Sequence, residues 1–236
     1  MRVLALDTTN RAGSVALVDG DRIVDEREGD PSRTHGERLP AELAALGAPW
    51  PTIDLYAVAS GPGSFTGLRI GIATMQGLAL VTGKRMVGVS ALEAVAQRAA
   101  ERAEPGTLVA SWIDAQRGEV FSALYRVGEA PVFTPERLVA LETPAVASPA
   151  ATLAAWTPYD LRAAIFAGDG AARYAAAIGA GDRGPHMAPP VLLAGAIGRM
   201  AAISASRGVT ASPAGIHPLY VRRPDAELAR EQARSR

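Results

Sequence analysis

Several groups of residues in this chain are of types that do chemistry. Two apolar runs each end in aspartate, Leu4-Ala5-Leu6-Asp7 and Trp112-Ile113-Asp114. A strand-end aspartate either ligates magnesium or caps the turn that follows it. A nucleotide phosphate beside such a metal needs backbone N–H groups at close quarters, and therefore glycine. Asp7-Thr8-Thr9-Asn10-Arg11 meets no glycine before Gly13, and Asp114-Ala115-Gln116-Arg117 meets none before Gly118. The expectation is degraded or absent ATP hydrolysis. A further glycine-rich run, Gly61-Pro62-Gly63-Ser64-Phe65-Thr66-Gly67-Leu68-Arg69, leads into small and apolar residues as far as Thr82. A glycine-rich loop feeding a helix N-terminus suits an anion, but this one has neither a Walker lysine nor dinucleotide spacing. Its alternative is close packing. Gly67, Gly71, Thr74 and Leu78 share one helical stripe, and Ile70, Ala73, Gly77 and Val81 share the next. One stripe can seat on the protein's own sheet, leaving the other for a partner helix. His35, His186 and His217 show no H-x-x-x-H or H-E-x-x-H spacing, which disfavours a helix-borne metal site. Ser64 lacks the G-x-S-x-G elbow, and Lys84 is the sole lysine.

The elements that position these residues follow from patterning. Arg2 to Thr8, Gly13 to Val18 and Arg22 to Glu28 read as three strands, with Asp19-Gly20-Asp21 as a tight turn. Helical spacing covers Glu37 to Leu46, with Pro40 near its first turn. A strand over Ile53 to Ala59 precedes a helix over Thr66 to Thr82, closed by Gly83. Met86 to Val89 is a strand, and Ser90-Ala91-Leu92-Glu93 is a capping box opening the next helix. This order is that of a ribonuclease H-like unit, a mixed sheet covered by helices.

The pattern then repeats. Trp112-Ile113-Asp114, a turn with Gly118, and the return strand Val120 to Leu124 match Leu6-Asp7, Gly13 and Val15 to Val18. Ala163 to Ala167 reads as a strand ending in Gly168-Asp169-Gly170, then Ala171 to Ile178 and Val191 to Ser206 as helices. The fold class expected is α/β: two ribonuclease H-like domains of the actin, Hsp70 and sugar-kinase superfamily, in residues 1–104 and 105–212, with a tail over 213–236. In that superfamily two such hairpins flank a nucleotide cleft, so Asp7, Thr8, Asp114, Gly168 and Gly170 are its expected remnants. The stretch from Gly128 to Trp156 matches no motif.

Composition sets the outer limits. Hydrophobic residues make up 48% and charged residues 20%, enough for an ordinary buried core. Lys plus Arg is 24 and Asp plus Glu is 24, so no global field attracts nucleic acid. The absence of cysteine excludes disulfides, a thiol nucleophile and Cys-ligated zinc. No run reads as a signal h-region or a membrane span, and a cytoplasmic location is expected.

At the run Gly61 to Ala79 the chain resembles the TsaB (YeaZ) family of tRNA threonylcarbamoyladenosine synthesis. Supporting blocks are Leu4 to Thr9, His35 to Pro40, Val89 to Glu93, Asp114 to Phe121, Gly168 to Gly170 and Pro218 to Arg222. The resemblance implies a non-catalytic scaffold that needs no cofactor of its own, with ATP and magnesium held by its partners. Those partners are a catalytic TsaD-like paralogue, a TsaE-like ATPase, a second copy when alone, and tRNA only indirectly. The complex would move a threonylcarbamoyl group onto N6 of the adenosine beside the anticodon of ANN-reading tRNAs. Ser64, Phe65, Thr66, Gly67, Leu68, Arg69, Gly71, Thr74 and Leu78 are the expected docking residues. Periodicity does not decide which stripe faces outward. A bulky residue at Gly71 is expected to harm docking, while Gly77→Leu on the other stripe mainly harms folding. The competing readings are an ATP-dependent small-molecule kinase or ATPase and, less favoured, a peptidase.

Overall fold

The computed structural model describes residues 1–179 and 184–222. The chain alternates apolar side chains between two sheet faces from its first strand. On β1 (Arg2–Asp7), Val3 and Ala5 enter one core while Leu4 and Leu6 enter another. β1 pairs antiparallel with β2 (Ser14–Asp19), which pairs with β3 (Arg22–Glu28). α1 (His35–Ala45) then crosses to β4 (Leu55–Gly61), parallel to β1. α2 (Phe65–Thr82) crosses to β5 (Arg85–Ser90), giving the order β3-β2-β1-β4-β5. Gly83 closes α2 in the left-handed region at φ 68°, and Lys84 follows it.

α3 (Ala91–Ala99) opens with Ser90 accepting from the Glu93 N–H at 3.4 Å. The second sheet repeats the first. β6 (Leu108–Asp114), β7 (Val120–Val127) and β8 (Leu138–Ala147) form the antiparallel set. α4 (Pro149–Ala155), β9 (Ile165–Ala167), α5 (Asp169–Arg173), α6 (Ala175–Ile178) and β10 (His186–Met187) complete the order β10-β9-β6-β7-β8. The two mixed sheets and their helices make the two ribonuclease H-like units that the repeat predicts. β8 and α4 fill the stretch that matched no motif. The helix expected over Ala171 to Ile178 is two short helices broken at Tyr174, and the last helix, α7 (Ala194–Ser206), starts three residues later than expected.

The helix between the sheets is the main surprise. α7 falls within 105–212 yet packs on β1, β2 and β4 of the first sheet. Its small residues permit this, since a Cβ at Gly198 would fall 2.6 Å from Val18. α3 lies beside it and reaches β6, so one core joins Val3 and Ala5 through Leu92 and Ile197 to Val109 and Ile113. A second core lies under α1 and α2 around Tyr56 and Met75, and a third around Trp112, Trp156 and Phe166.

Candidate functional site

The glycine-rich run works as a packing device. Gly61 holds φ 117°, and a Cβ there would fall 2.7 Å from the Leu219 carbonyl oxygen. The Ser64 N–H donates to the Thr9 carbonyl at 2.7 Å, and the Ser64 hydroxyl caps α2 by accepting from the Gly67 N–H. Side chains on Gly67 and Gly71 would overlap the Thr8 carbonyl and hydroxyl. Glycine is needed here so that α2 can lie on the loop after β1. Between the two readings of this run, the contacts favour close packing over an anion cradle.

These contacts correct the expected orientation of α2. Gly67, Leu68 and Gly71 are buried in the protein's own core and are not available to a partner. Thr74 and Leu78 are half-buried on the flank, where the Thr74 hydroxyl donates to the Ile70 carbonyl at 2.8 Å. Ser64, Phe65, Thr66 and Arg69 are exposed around the N-terminal turn. The open stripe is the other one. Ala73 is exposed, Gly77 has open space where a Cβ would be, and Leu80 and Val81 are 74% and 87% exposed. By length and composition α2 is apolar enough to cross a membrane, but its inner stripe is seated on β4 and Thr8.

The segment after α7, expected as a tail, is a strap along α2 as far as residue 222; the remainder lies outside the described residues. Met86 and Ala211 exchange backbone hydrogen bonds of 3.0 and 2.8 Å. The Gln76 amide donates to the Pro213 and Ile216 carbonyls. Tyr220 stacks 5.1 Å from Phe65, and Arg69 lies 3.9 Å over Phe65 while donating to the Tyr220 hydroxyl at 3.0 Å. Arg222 then reaches the second unit, donating to the Ala115 carbonyl at 2.8 Å and pairing with Glu119.

The cleft between the units takes its residues from both sheets, in an arrangement other than the expected one. Asp7 lines a cavity of about 920 Å³ with Gly168, Asp169 and Arg98, while Asp114 lines a separate groove. Thr8 faces α2 instead. One oxygen of Asp7 accepts from the Thr9 N–H and hydroxyl at 2.9 and 2.7 Å, a turn cap. Burial, with smaller pushes from Asp169 and Glu26, raises the Asp7 carboxyl to about 6 against the pull of Thr9. Asp114 is engaged by Gln116 and Arg173. Asp169 accepts from the Asp114 N–H at 2.9 Å and from Asn10 at 3.3 Å, bridging the units; burial raises its carboxyl too. Side chains at Gly168 and Gly170 would strike the backbone of Trp112 and Ile113, so these glycines seat α5 on β6. The two glycines are thus packed on the second sheet, and Asp114 is paired with Arg173.

Two bridging residues, Asn10 and Asp169, and a clamp at α1 escaped the sequence reading. Asp169 sits inside the Gly168–Gly170 motif, and its flanking glycines were the available signal. In the clamp, buried Arg38 donates to the Arg11 and Ala12 carbonyls and pairs with Glu42. It also meets His35 Nδ1 at 2.7 Å, which leaves His35 Nε2 to donate to the Asn10 carbonyl at 3.0 Å. Burial and the Arg38 charge lower the His35 pKa, keeping the ring neutral. Among the described residues no cluster of three or more His, Asp or Glu could hold a metal.

The family model for TsaD, tRNA N6-adenosine threonylcarbamoyltransferase, matches residues 31–181. The tRNA threonylcarbamoyladenosine biosynthesis protein TsaB of Escherichia coli K12 is 42% identical over 150 residues, 62% of this chain and 64% of that protein. The Bacillus subtilis 168 protein of the same name is 35% identical over 131 residues, 53% of this chain and 56% of its own length. The matched stretches thus span between half and two thirds of these curated relatives. The solved structure of YeaZ from Pseudomonas aeruginosa superposes with a TM-score of 0.74 at 28% identity, covering 93% of this chain and 99% of that one. With the doubled sheet order of the actin, Hsp70 and sugar-kinase fold already in place, these likenesses converge: the chain belongs to the TsaB/YeaZ family, within the TsaD-type proteins.

Proposed function

We propose that this chain is a non-catalytic subunit of the machinery that adds a threonylcarbamoyl group to adenosine N6 in tRNA. It docks a TsaD-type paralogue through the outer stripe of α2 and brings a TsaE-type ATPase to the pair. Alone, it closes the same stripe against a second copy. The observation that carries this reading is the apolar stripe of Ala73, Gly77, Leu80 and Val81, left uncovered on an otherwise seated helix. The cleft gives the kinase alternative little support, since its groups are engaged within the chain. The chain acts in the cytoplasm and leaves ATP and magnesium to its partners.

Calorimetric titration against the TsaD-type paralogue from the same cell tests this reading. Val81→Glu is expected to weaken binding by tenfold or more, roughly 1.4 kcal/mol or above, with an unchanged melting curve. Unaltered affinity in Val81→Glu and Leu80→Glu would remove α2 as the docking face.

A further inference from the structure

A second concavity lies on the other side of the bridging Asn10–Asp169 pair. It is a groove of about 1090 Å³ between the units, lined among others by Arg11, Arg33, Phe65, Tyr220 and Arg222. Its charge is unusual for a protein whose acids and bases balance. The Arg11 guanidinium donates to a neutral acceptor, the Pro31 carbonyl, at 2.6 Å. Arg69, in contact with the lining residues Phe65 and Tyr220, spends its hydrogen bond on a phenol and its face on a ring. Neither takes a carboxylate partner in these contacts, so no carboxylate offsets either guanidinium there. The carboxylates that line it, Asp114 and Asp169, are held by Arg173 and Asn10.

The aromatic pair adds a second, independent feature. Phe65 and Tyr220 are 40% and 38% exposed, come from distant parts of the chain, and are held together by Arg69 and the strap. Exposed rings fixed beside guanidinium groups form the combination that takes a single-stranded nucleic acid: bases stack on the rings and phosphates follow the cations. An acidic peptide would use the arginines and leave the rings idle.

We propose that this groove binds single-stranded RNA directly, with its backbone along Arg11 and Arg69 and a base against Phe65 and Tyr220. The proposal rests on the tRNA-modification reading and goes beyond it, because it assigns an RNA contact to this subunit itself.

Fluorescence anisotropy of the full chain with a labelled, unstructured ten-nucleotide RNA, over a series of salt concentrations, tests it. Saturable binding that weakens with salt is expected. Arg11→Glu and Arg69→Glu should each flatten the slope of log K against log salt by about 0.7. Tyr220→Ala should cost about 5–150-fold in affinity, and Tyr220→Trp should restore it. Circular dichroism of each variant checks that it folds. Absence of saturable binding at low salt would overturn the proposal, as would equal affinity in both arginine variants. Equal competition by a hexaglutamate peptide would make the groove a protein-docking site and also overturn it. The titration against the paralogue is read separately. A chain that binds the paralogue and ignores RNA defeats this inference alone, whereas loss of paralogue binding defeats the underlying reading.

Discussion

Asp7 holds its charge against burial, and that has a measurable sign. The folded chain gives up this proton near pH 6, the unfolded chain near its ordinary 3.8. Between those values the folded state binds more protons, so stability falls as pH rises from about 4 to about 6 and is level above that. The difference is worth up to about 3 kcal/mol. Asp7→Asn keeps an acceptor for Thr9 and removes the charge. It should raise the unfolding free energy at pH 7 toward that limit and flatten the profile between pH 4 and 6, as read by urea titrations at several pH values. Glycines give an equally sharp contrast. Gly71→Leu drives a side chain into Thr8 and should destabilise by about 1–3 kcal/mol or more. Gly77→Leu points into open space and should gain up to about 1 kcal/mol of helix propensity. Thermal melts of the two variants should therefore shift in opposite directions. Spacing alone showed two small stripes on this helix. It could not show that Thr8 fills the gap over one of them, because that contact joins residues far apart in the chain.

At the scale of elements, α1 acts on the loop after β1 through Arg38 and His35, which together hold three consecutive carbonyls. Arg38→Met keeps the apolar stem and loses charged hydrogen bonds, at a cost of about 1.5–3 kcal/mol. Limited proteolysis should then nick the chain around residues 10–13 at a lower protease concentration than in the parent. The long strands and α2 were legible because their apolar runs are unbroken or evenly spaced. β8 was not, since it is an exposed edge whose Glu142, Thr143 and Pro144 interrupt any alternation. The strap was hidden for a different reason: it is held by Ser60 of β4 and by Gln76 and Arg69 of α2, and carries no pattern of its own.

Over the whole molecule, α3 and α7 make the two units share one core, so they should unfold together. Trp112 and Trp156 lie in the second unit and Trp50 beside the core of the first. A Trp50→Phe background therefore leaves fluorescence to the second unit, while much of the helix content belongs to α2 and α7 against the first sheet. Tryptophan fluorescence and far-ultraviolet circular dichroism should give coincident denaturation curves. Ile197→Ala, in the shared core, should cost about 2–5 kcal/mol and move both curves equally. Separated transitions would mean that the shared layer does not couple the sheets. The doubling itself was readable from the two Asp-terminated hairpins. The crossing of α7 to the first sheet was not, because a helix of alanine and glycine shows no strong polar side by which to orient it.

The single lysine has a practical use in following assembly. Lys84 stands just past the Gly83 cap, a turn from Leu80 and Val81. An amine-reactive dye at pH 8.5 has one side chain to find, besides the Met1 amine, whereas the abundant arginines stay unlabelled. The protein thus carries its own attachment point for a fluorophore beside the stripe where a partner would settle. Burial of that dye on mixing would report docking in real time without any engineered residue.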